Sequence, residues 1–474
     1  MAMTKAGRPY ASLPSFSKIH ILRFRPTRAQ GNCVSSGAHT ARHTPYPLQS
    51  SRNHPRTIRA WAFFDWANSA FALVITVAIF PAYYIAVTDE QIPILGTQLS
   101  NSALYAYAIS ASYIIIAALS PLLSGMADYG GKKKTFLKLF TYLGGLSCLS
   151  LFLFRESDQV FFGTGAFMLG MIGFAGGLVF YNAYLPEIAT EDRFDRVSAK
   201  GFAYGYFGSV LLLIVNLAVI QFHESLGLSE GLATRLAFIM VGLWWLGFSQ
   251  IPFRYLPDQD AAKPDTDLLA KGIAELRGVW SMARQMPNLK RFLISFFCYS
   301  AGVQTVIFLA ATFAEKELAF ETAELIIVIL LLQILAIGGA YFFARLSDWR
   351  GNKFSLLAML LIWTAVCLVG YFVRTDLQFY ALAGAVGLVM GGIQSLSRST
   401  YSKLLPQGTE DTASFFSFYD VLEKVAIVLG TFCFGLMDQL TGSMRTSILL
   451  LALFFLAGLF ILLRIRIEPY KRPG

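Results

Sequence analysis

The sequence predicts an all-α membrane protein with about twelve transmembrane helices in two pseudo-symmetric six-helix bundles, and three observations carry the prediction. Hydrophobic residues make up 55% of the 474 and charged residues only 14%, with a mean hydropathy of +0.55. A soluble globule of this length is less apolar. Twelve apolar runs each approach the roughly 20 residues that cross ~30 Å of hydrocarbon as a helix. The segment Ser124, Gly125, Met126, Ala127, Asp128, Tyr129, Gly130, Gly131, Lys132, Lys133 recurs 220 positions later as Ala344, Arg345, Leu346, Ser347, Asp348, Trp349, Arg350, Gly351, Asn352, Lys353. At the same offset Leu185 and Pro186 return as Leu405 and Pro406, and each pair is soon followed by Thr, Glu, Asp. Two landmarks on one repeat length mark a duplicated structure.

Taken in order, residues 1–58 are rich in Ser, Pro, Arg and His without a long apolar core. They predict a disordered basic tail, not a secretory signal peptide. An organellar transit peptide and an overlong translation start are both compatible with that composition. The first bundle occupies 59–255, with apolar runs at 61–86, 103–124, 136–154, 160–184, 201–221 and 234–253. A polar connector, 256–289, punctuated by Pro257, Pro264 and Pro287, divides the chain. Within it Leu269, Ile273, Leu276, Trp280 and Ala283 fall at helical steps, which predicts an amphipathic helix along the membrane surface that links the halves, with a solvated linker helix as the alternative. The second bundle occupies 290–466, with runs at 291–313, 323–344, 354–373, 377–400, 415–437 and 446–464, and 467–474 form a short tail.

Lys and Arg set the orientation, because basic segments resist translocation. With both termini cytoplasmic, the inward loops of the body carry 23 Lys or Arg and the outward loops five. The net charge of +10 is therefore no nucleic-acid signal: residues 1–59 hold ten Lys or Arg and no acid, so the rest is neutral. The five cysteines are scattered and read as small core residues, not as metal ligands or a disulfide framework.

The acid-glycine-base loop between the second and third helices of each half resembles the signature loop of the major facilitator superfamily. The run Trp61, Ala62, Phe63, Phe64, Asp65, Trp66, Ala67, Asn68, Ser69, Ala70, Phe71 resembles the opening of its vacuole-effluxer branch, related to the autophagy-associated amino-acid permease of fungi. So do Tyr181–Pro186, Gly205–Ser209, Gly302–Thr305 and Gln394–Ser399. The resemblance implies a secondary transporter, with export of neutral amino acids as the best described activity. It also implies that the signature loops latch one access state. Two departures stand out: Ser124 and Ala344 replace the usual glycine, where small size serves close helix approach, and Ala301 stands where the branch often has an aspartate.

Ionisable groups inside spans are costly, so each needs a partner or a task. Asp65 with Asn68 and Ser69 shares one face of the first helix, as a gate or as a substrate or proton site. In the eleventh helix Lys424 neutralises one of Asp420 and Glu423 and leaves the other for a salt-bridged gate or proton coupling. Arg398, at the inner end of the tenth helix, pairs with an acid of the eleventh or snorkels to phosphates. In the loops, Asp128 and Asp348 are placed to accept hydrogen bonds at a helix end, Gly131 and Gly351 permit the turn, and Lys132, Lys133 and Lys353 hold the loop to the anionic leaflet. Of the uncharged polar groups midway in the spans, Asn182, Tyr206, Tyr299, Gln304 and Gln394 are the substrate-binding candidates, beside Tyr181, Tyr204, Asn216, Thr305 and Gln333. Gly302 before Gln304 allows close approach of substrate or backbone.

No phosphate-cradling glycine loop, nucleophile elbow or paired His and acid motif occurs, so an ATP-driven pump and an enzyme are both disfavoured. The reading needs no cofactor and no metal. It places a monomer in the lipid bilayer, with a small solute as its partner and no nucleic acid. The membrane is the cell membrane if the source is bacterial, vacuolar or otherwise organellar if eukaryotic. A non-transporting receptor, or a carrier of sugars, nucleosides or drug-like solutes, stands as the alternative.

Overall fold

Twelve long helices follow the order of the apolar runs in the computed structural model, which describes residues 52–94, 96–258, 268–441 and 443–466. They are α1 Pro55–Val87, α2 Asn101–Tyr129, α3 Lys133–Ser150, α4 Val160–Ala183, α5 Phe194–Gln221 and α6 Glu230–Tyr255, then α7 Pro287–Leu318, α8 Thr322–Arg350, α9 Asn352–Gly370, α10 Asp376–Leu404, α11 Thr412–Thr441 and α12 Met444–Leu463. Eleven of the described helices are long and apolar enough to cross a membrane. The exception among the twelve is α11, the predicted eleventh span, which carries Asp420, Glu423 and Lys424. The all-α expectation missed one small element, the antiparallel hairpin β1 Gln91–Ile94 and β2 Thr97–Ser100, whose connection contains Gly96 at φ 83°.

The helix starts follow local chemistry. Pro55 and Pro287 open α1 and α7 at the first turn, where the missing N–H costs nothing. Helix α1 therefore begins six residues before the predicted run, and residues 55–58 belong to it and not to a tail; residues 1–51 and 467–474 lie outside the described part. Thr375 caps α10 through a reciprocal box with Gln378. In the middle of α1, Phe71–Ile79 is π-helical, a form that in most proteins is confined to single-turn bulges.

Close crossings depend on missing side chains. A Cβ at Gly339 would stand 1.8 Å from the Leu388 carbonyl oxygen, and one at Gly391 would stand 2.0 Å from that of Ala336, so α8 and α10 touch backbone to backbone. On α5, Gly201, Gly205 and Gly208 face α1: their Cβ atoms would meet Asp65 Oδ2 at 2.8 Å, Ser69 Oγ at 2.6 Å and the Trp66 carbonyl at 2.7 Å. Small residues let helices associate by packing alone where lipid gives no hydrophobic drive. The two halves meet where α2 and α4 pack on α11, and where α5 packs on α8 and α10. Ala199 of α5 is buried there against Ala340 and Ala344 of α8.

The linker helix, Leu268–Gln285, departs from expectation. Its buried residues are Gly272, Val279 and Ala283, whereas Leu269 and Trp280 of the predicted apolar face are about half exposed. Gly272 crosses α2 at Gly125, where an added Cβ would stand 2.3 Å from the Gly272 oxygen. Trp280 meets Phe418 of α11 at a centroid distance of 5.3 Å. The helix thus docks on protein from both halves at the end of the molecule that carries the signature loops.

Candidate functional site

A cavity of about 270 Å³ lies between the halves. Its wall comes from α1, α2, α4 and α5 on one side and α7, α8, α10 and α11 on the other. The π-helical stretch of α1 contributes Ala72, Leu73, Thr76 and Val77, so the irregular turn lies where the wall needs reshaping.

At one end of this cavity an ion pair joins the halves. Arg398 Nη1 of α10 lies 3.4 Å from Asp65 Oδ2 of α1 and donates to Asn182 Oδ1 at 3.1 Å. Its Nε and Nη2 donate to the Ser198 hydroxyl and carbonyl of α5, each at 2.9 Å. Phe202 and Trp61 cover the guanidinium at 4.2 and 4.8 Å, and Arg398 is 2% exposed. Asp65 also accepts the Tyr181 hydroxyl at 2.7 Å. Such a pair is held by satisfied donors and stacked rings more than by Coulomb attraction alone. The predicted pairing of Arg398 with an acid of the eleventh helix is thereby corrected: its partner is the acid of the first helix, in the opposite half.

Helix α11 forms the second charged wall. Lys424 Nζ lies 2.7 Å from Asp420 Oδ1 and 3.4 Å from Glu423 Oε2, and Gln304 Nε2 of α7 donates to Glu423 Oε1 at 3.1 Å. Glu423, Lys424 and Gln304 border the cavity, while Asp420 is buried behind them with Oδ2 unbonded. Elsewhere on the wall, Tyr206 donates to Gln394 Oε1 across the halves and the Tyr299 hydroxyl meets Ser397 Oγ at 2.7 Å.

All five substrate-binding candidates, Asn182, Tyr206, Tyr299, Gln304 and Gln394, lie on this wall with Gln333. Other expected positions do not. Asn68 is buried with both side-chain polar atoms unbonded, away from the face that Asp65 and Ser69 share. Asn216 is likewise buried and unbonded, Tyr204 joins a ring cluster with Phe63, and Thr305 bonds back to the Ala301 carbonyl. Gly302 packs on the Phe455 ring of α12, where a Cβ would stand 2.7 Å from Cζ, so its small size serves helix packing and not substrate approach. Tyr113, Phe202 and Ser198 were missed, because a Ser or an aromatic inside an apolar run gives no local signal of the partner it will face.

At the signature-loop end, the two loop copies behave differently. Asp128 accepts the α11 amides of Ala413 and Ser414 at 3.2 and 2.6 Å, and Lys133 beside it is fully buried, bonded to Glu187 and to Thr412 Oγ1. Asp348 caps no helix; it pairs with the exposed Arg196 at 2.8 Å. In the second copy, Asp195 near the start of α5 makes the contact between the halves instead, and accepts the side chains of Ser347, Asn352 and Lys403 at 2.7–2.8 Å. Gly131 and Gly351 have φ of 60° and 84°, as the turns require. Two of the lysines differ from expectation: Lys133 is an internal ion-pair partner, and Lys353 donates to the carbonyls of Leu463, the last residue of α12, and of Ile465 just beyond it, while Lys132 is exposed.

The linker helix adds a titratable contact beside this latch. Glu275 hydrogen-bonds to the Asp411 carboxyl just before α11, with Asp128 also near; burial first, then these acids, pushes its pKa up to about 7. A folded pKa above the ordinary value of 4.5 gives stabilisation that is full below that value and lost as pH rises through about 7. The protection of amides across Leu268–Gln285, taken relative to the intrinsic exchange rate at each pH, should therefore fall between pH 5 and 8, and Glu275→Gln should flatten that profile.

Comparison with known proteins places this geometry. The family model described as "Vacuole effluxer Atg22 like" matches residues 53–472. An uncharacterized MFS-type transporter of Bacillus subtilis, YxiO, is 32% identical over 406 residues, covering 85% of this chain and 93% of its own. The Autophagy-related protein 22 of Kluyveromyces lactis is 27% identical over 416 residues, covering 79% and 81%. Among solved structures, the major facilitator transporter FucP in its outward conformation superposes with a TM-score of 0.66 at 15% identity, covering 87% and 98%. The human organic anion transporter MFSD10 gives 0.65 at 13%, covering 86% and 99%. The chain is thus a multi-pass membrane transporter of the major facilitator type, not an enzyme, and belongs to the vacuole effluxer Atg22-like family.

Proposed function

We propose that the protein carries a small zwitterionic solute, with neutral amino acids as the substrate class and efflux as the direction, by alternating access through the central cavity. The observation that carries the reading is a cavity of about 270 Å³ with charges of both signs, Asp65 and Arg398 at one end and Glu423 and Lys424 on the side, drawn from both halves. The bonds that tie the halves together, from Asp65–Arg398 to Asp128–α11 and Asp195–Lys403, gather toward the signature-loop end. Rocking the halves would exchange these bonds for others at the opposite end. The excess of Lys and Arg makes the signature-loop end the cytoplasmic one, with both termini on that side.

Proton coupling belongs to the same reading, because Lys424 neutralises one acid of α11 and leaves a second beside it. The test is flux of labelled amino acids in proteoliposomes, with and without a pH gradient. Wild type should accumulate substrate against the gradient, and Glu423→Gln should lose pH-driven flux while keeping counterflow at saturating substrate. Flux for sugars or nucleosides only would replace the substrate assignment, and no flux for any solute would favour a receptor.

A further inference from the structure

The free hydrogen-bonding capacity of the cavity is unequal in sign. Arg398 is nearly spent: four of its five N–H groups go to Asp65, Asn182 and the Ser198 hydroxyl and carbonyl, and aromatic rings cover its faces. Lys424 gives two of its three N–H groups to Asp420 and Glu423, with the Tyr113 ring centroid 5.9 Å away. The carboxylates are less fully spent. The bonds from Tyr181 and Arg398 to Asp65 both fall on Oδ2, so Oδ1 keeps its lone pairs. Glu423 accepts one bond on each oxygen, from Gln304 and Lys424, and its side chain is 24% exposed. A carboxylate has about four lone-pair sites, so each acid retains acceptor capacity. Besides one N–H each on the buried Arg398 and Lys424, the donors left for an anion are neutral, such as the amide nitrogens of Gln394 and Asn182, whose oxygens are already engaged.

Charge points the same way. Asp65 and Glu423 on the wall, with Asp420 buried behind it, outnumber Arg398 and Lys424 three to two, so both cations already have acid partners. In a site shielded from water an anion would have to displace an acid from its partner, whereas an ammonium group meets acids with acceptor sites still free. Phe174, Phe296 and Tyr419 supply apolar and π surface around it, and aromatic faces also attract ammonium groups.

Resting on the carrier reading above, we infer that the site recognises its substrate by an ammonium group, held at Glu423 with Asp65 facing it, and that the substrate carboxylate is dispensable. The substrate class widens accordingly from neutral amino acids to primary amines with an apolar or aromatic body. Acids that lack an amine are excluded.

Three probes separate the two ends of the molecule: phenylalanine, phenylalaninamide, which keeps the ammonium and loses the carboxylate, and N-acetylphenylalanine, which does the reverse. Binding to purified full-length protein is read by thermal shift and calorimetry. The amide should bind within about threefold of the amino acid or tighter, the N-acetyl acid should give no shift, and Glu423→Gln should weaken the amide at least about tenfold, the scale of a lost charge-assisted hydrogen bond. If that variant misfolds, the wild-type comparison of amide with N-acetyl acid decides alone. Binding of the N-acetyl acid with none of the amide overturns the inference, as does equal binding of both or of neither. Counterflow of unrelated solutes is measured in parallel, so that transport without amine binding sinks the ammonium site and leaves the carrier standing.

Discussion

Replacing Arg398 by Gln is expected to abolish flux and to lower stability by about 3 to 5 kcal/mol, the cost of leaving one buried partner charged and alone. The loss is large because one side chain ties α10 to α1, α4 and α5 at once, through Asp65, Asn182 and Ser198. The uncompensated Asp65 would remain 4% exposed with only the Tyr181 hydroxyl to hold it. The double variant Asp65→Asn with Arg398→Gln should recover a good part of that stability, because a neutral pair avoids the buried charge, yet should not recover flux. Thermal unfolding of the four proteins gives the coupling directly, expected in the range of about 0.5 to 3 kcal/mol. Additive losses would show that the two groups act separately.

Asp128→Ala should shift the access equilibrium roughly tenfold toward opening at the signature-loop end, whereas Asp348→Ala should change it little. Asp128 holds two amides at the start of α11 from the opposite half. Loss of such a cap costs about 0.5 to 2 kcal/mol, and about 1.4 kcal/mol is tenfold in a two-state ratio. Asp348 contributes one ion pair with Arg196, whose side chain is 66% exposed, and pairs of that kind are worth about 0 to 1 kcal/mol. Thiol labelling of a cysteine placed at Ser300, on the cavity wall, measures the opening. Equal effects of the two variants would mean that the latch is symmetric after all.

That asymmetry shows where sequence reading ends. Asp128 and Asp348 occupy equivalent places in a 220-residue repeat, and nothing local separates them. Only packing decides that the first meets a helix start and that Asp195 serves in place of the second. The same holds within α1: Asp65, Asn68 and Ser69 were read as one face, yet the close approach of Gly201 and Gly205 turns Asp65 and Ser69 to the cavity side and leaves Asn68 buried. A helical wheel spans an arc of about 100° for positions three and four apart, wide enough to straddle a boundary between cavity and neighbouring helix.

By itself the sequence determined the class of molecule, because apolar runs of spanning length, a basic bias in alternate loops and the repeated loop are properties of the chain read in one dimension. It also named several of the polar groups that border the cavity, Asp65, Asn182, Gln304 and Arg398 among them, since a polar side chain in a span has few places to go but inward. The tertiary structure decided which of them pair. Arg398 finds Asp65 333 residues away, and a contact between helices of opposite halves depends on the rotation and depth of each helix. Those are set by glycine crossings and ring packing summed over both bundles, and no segment of the sequence carries that sum.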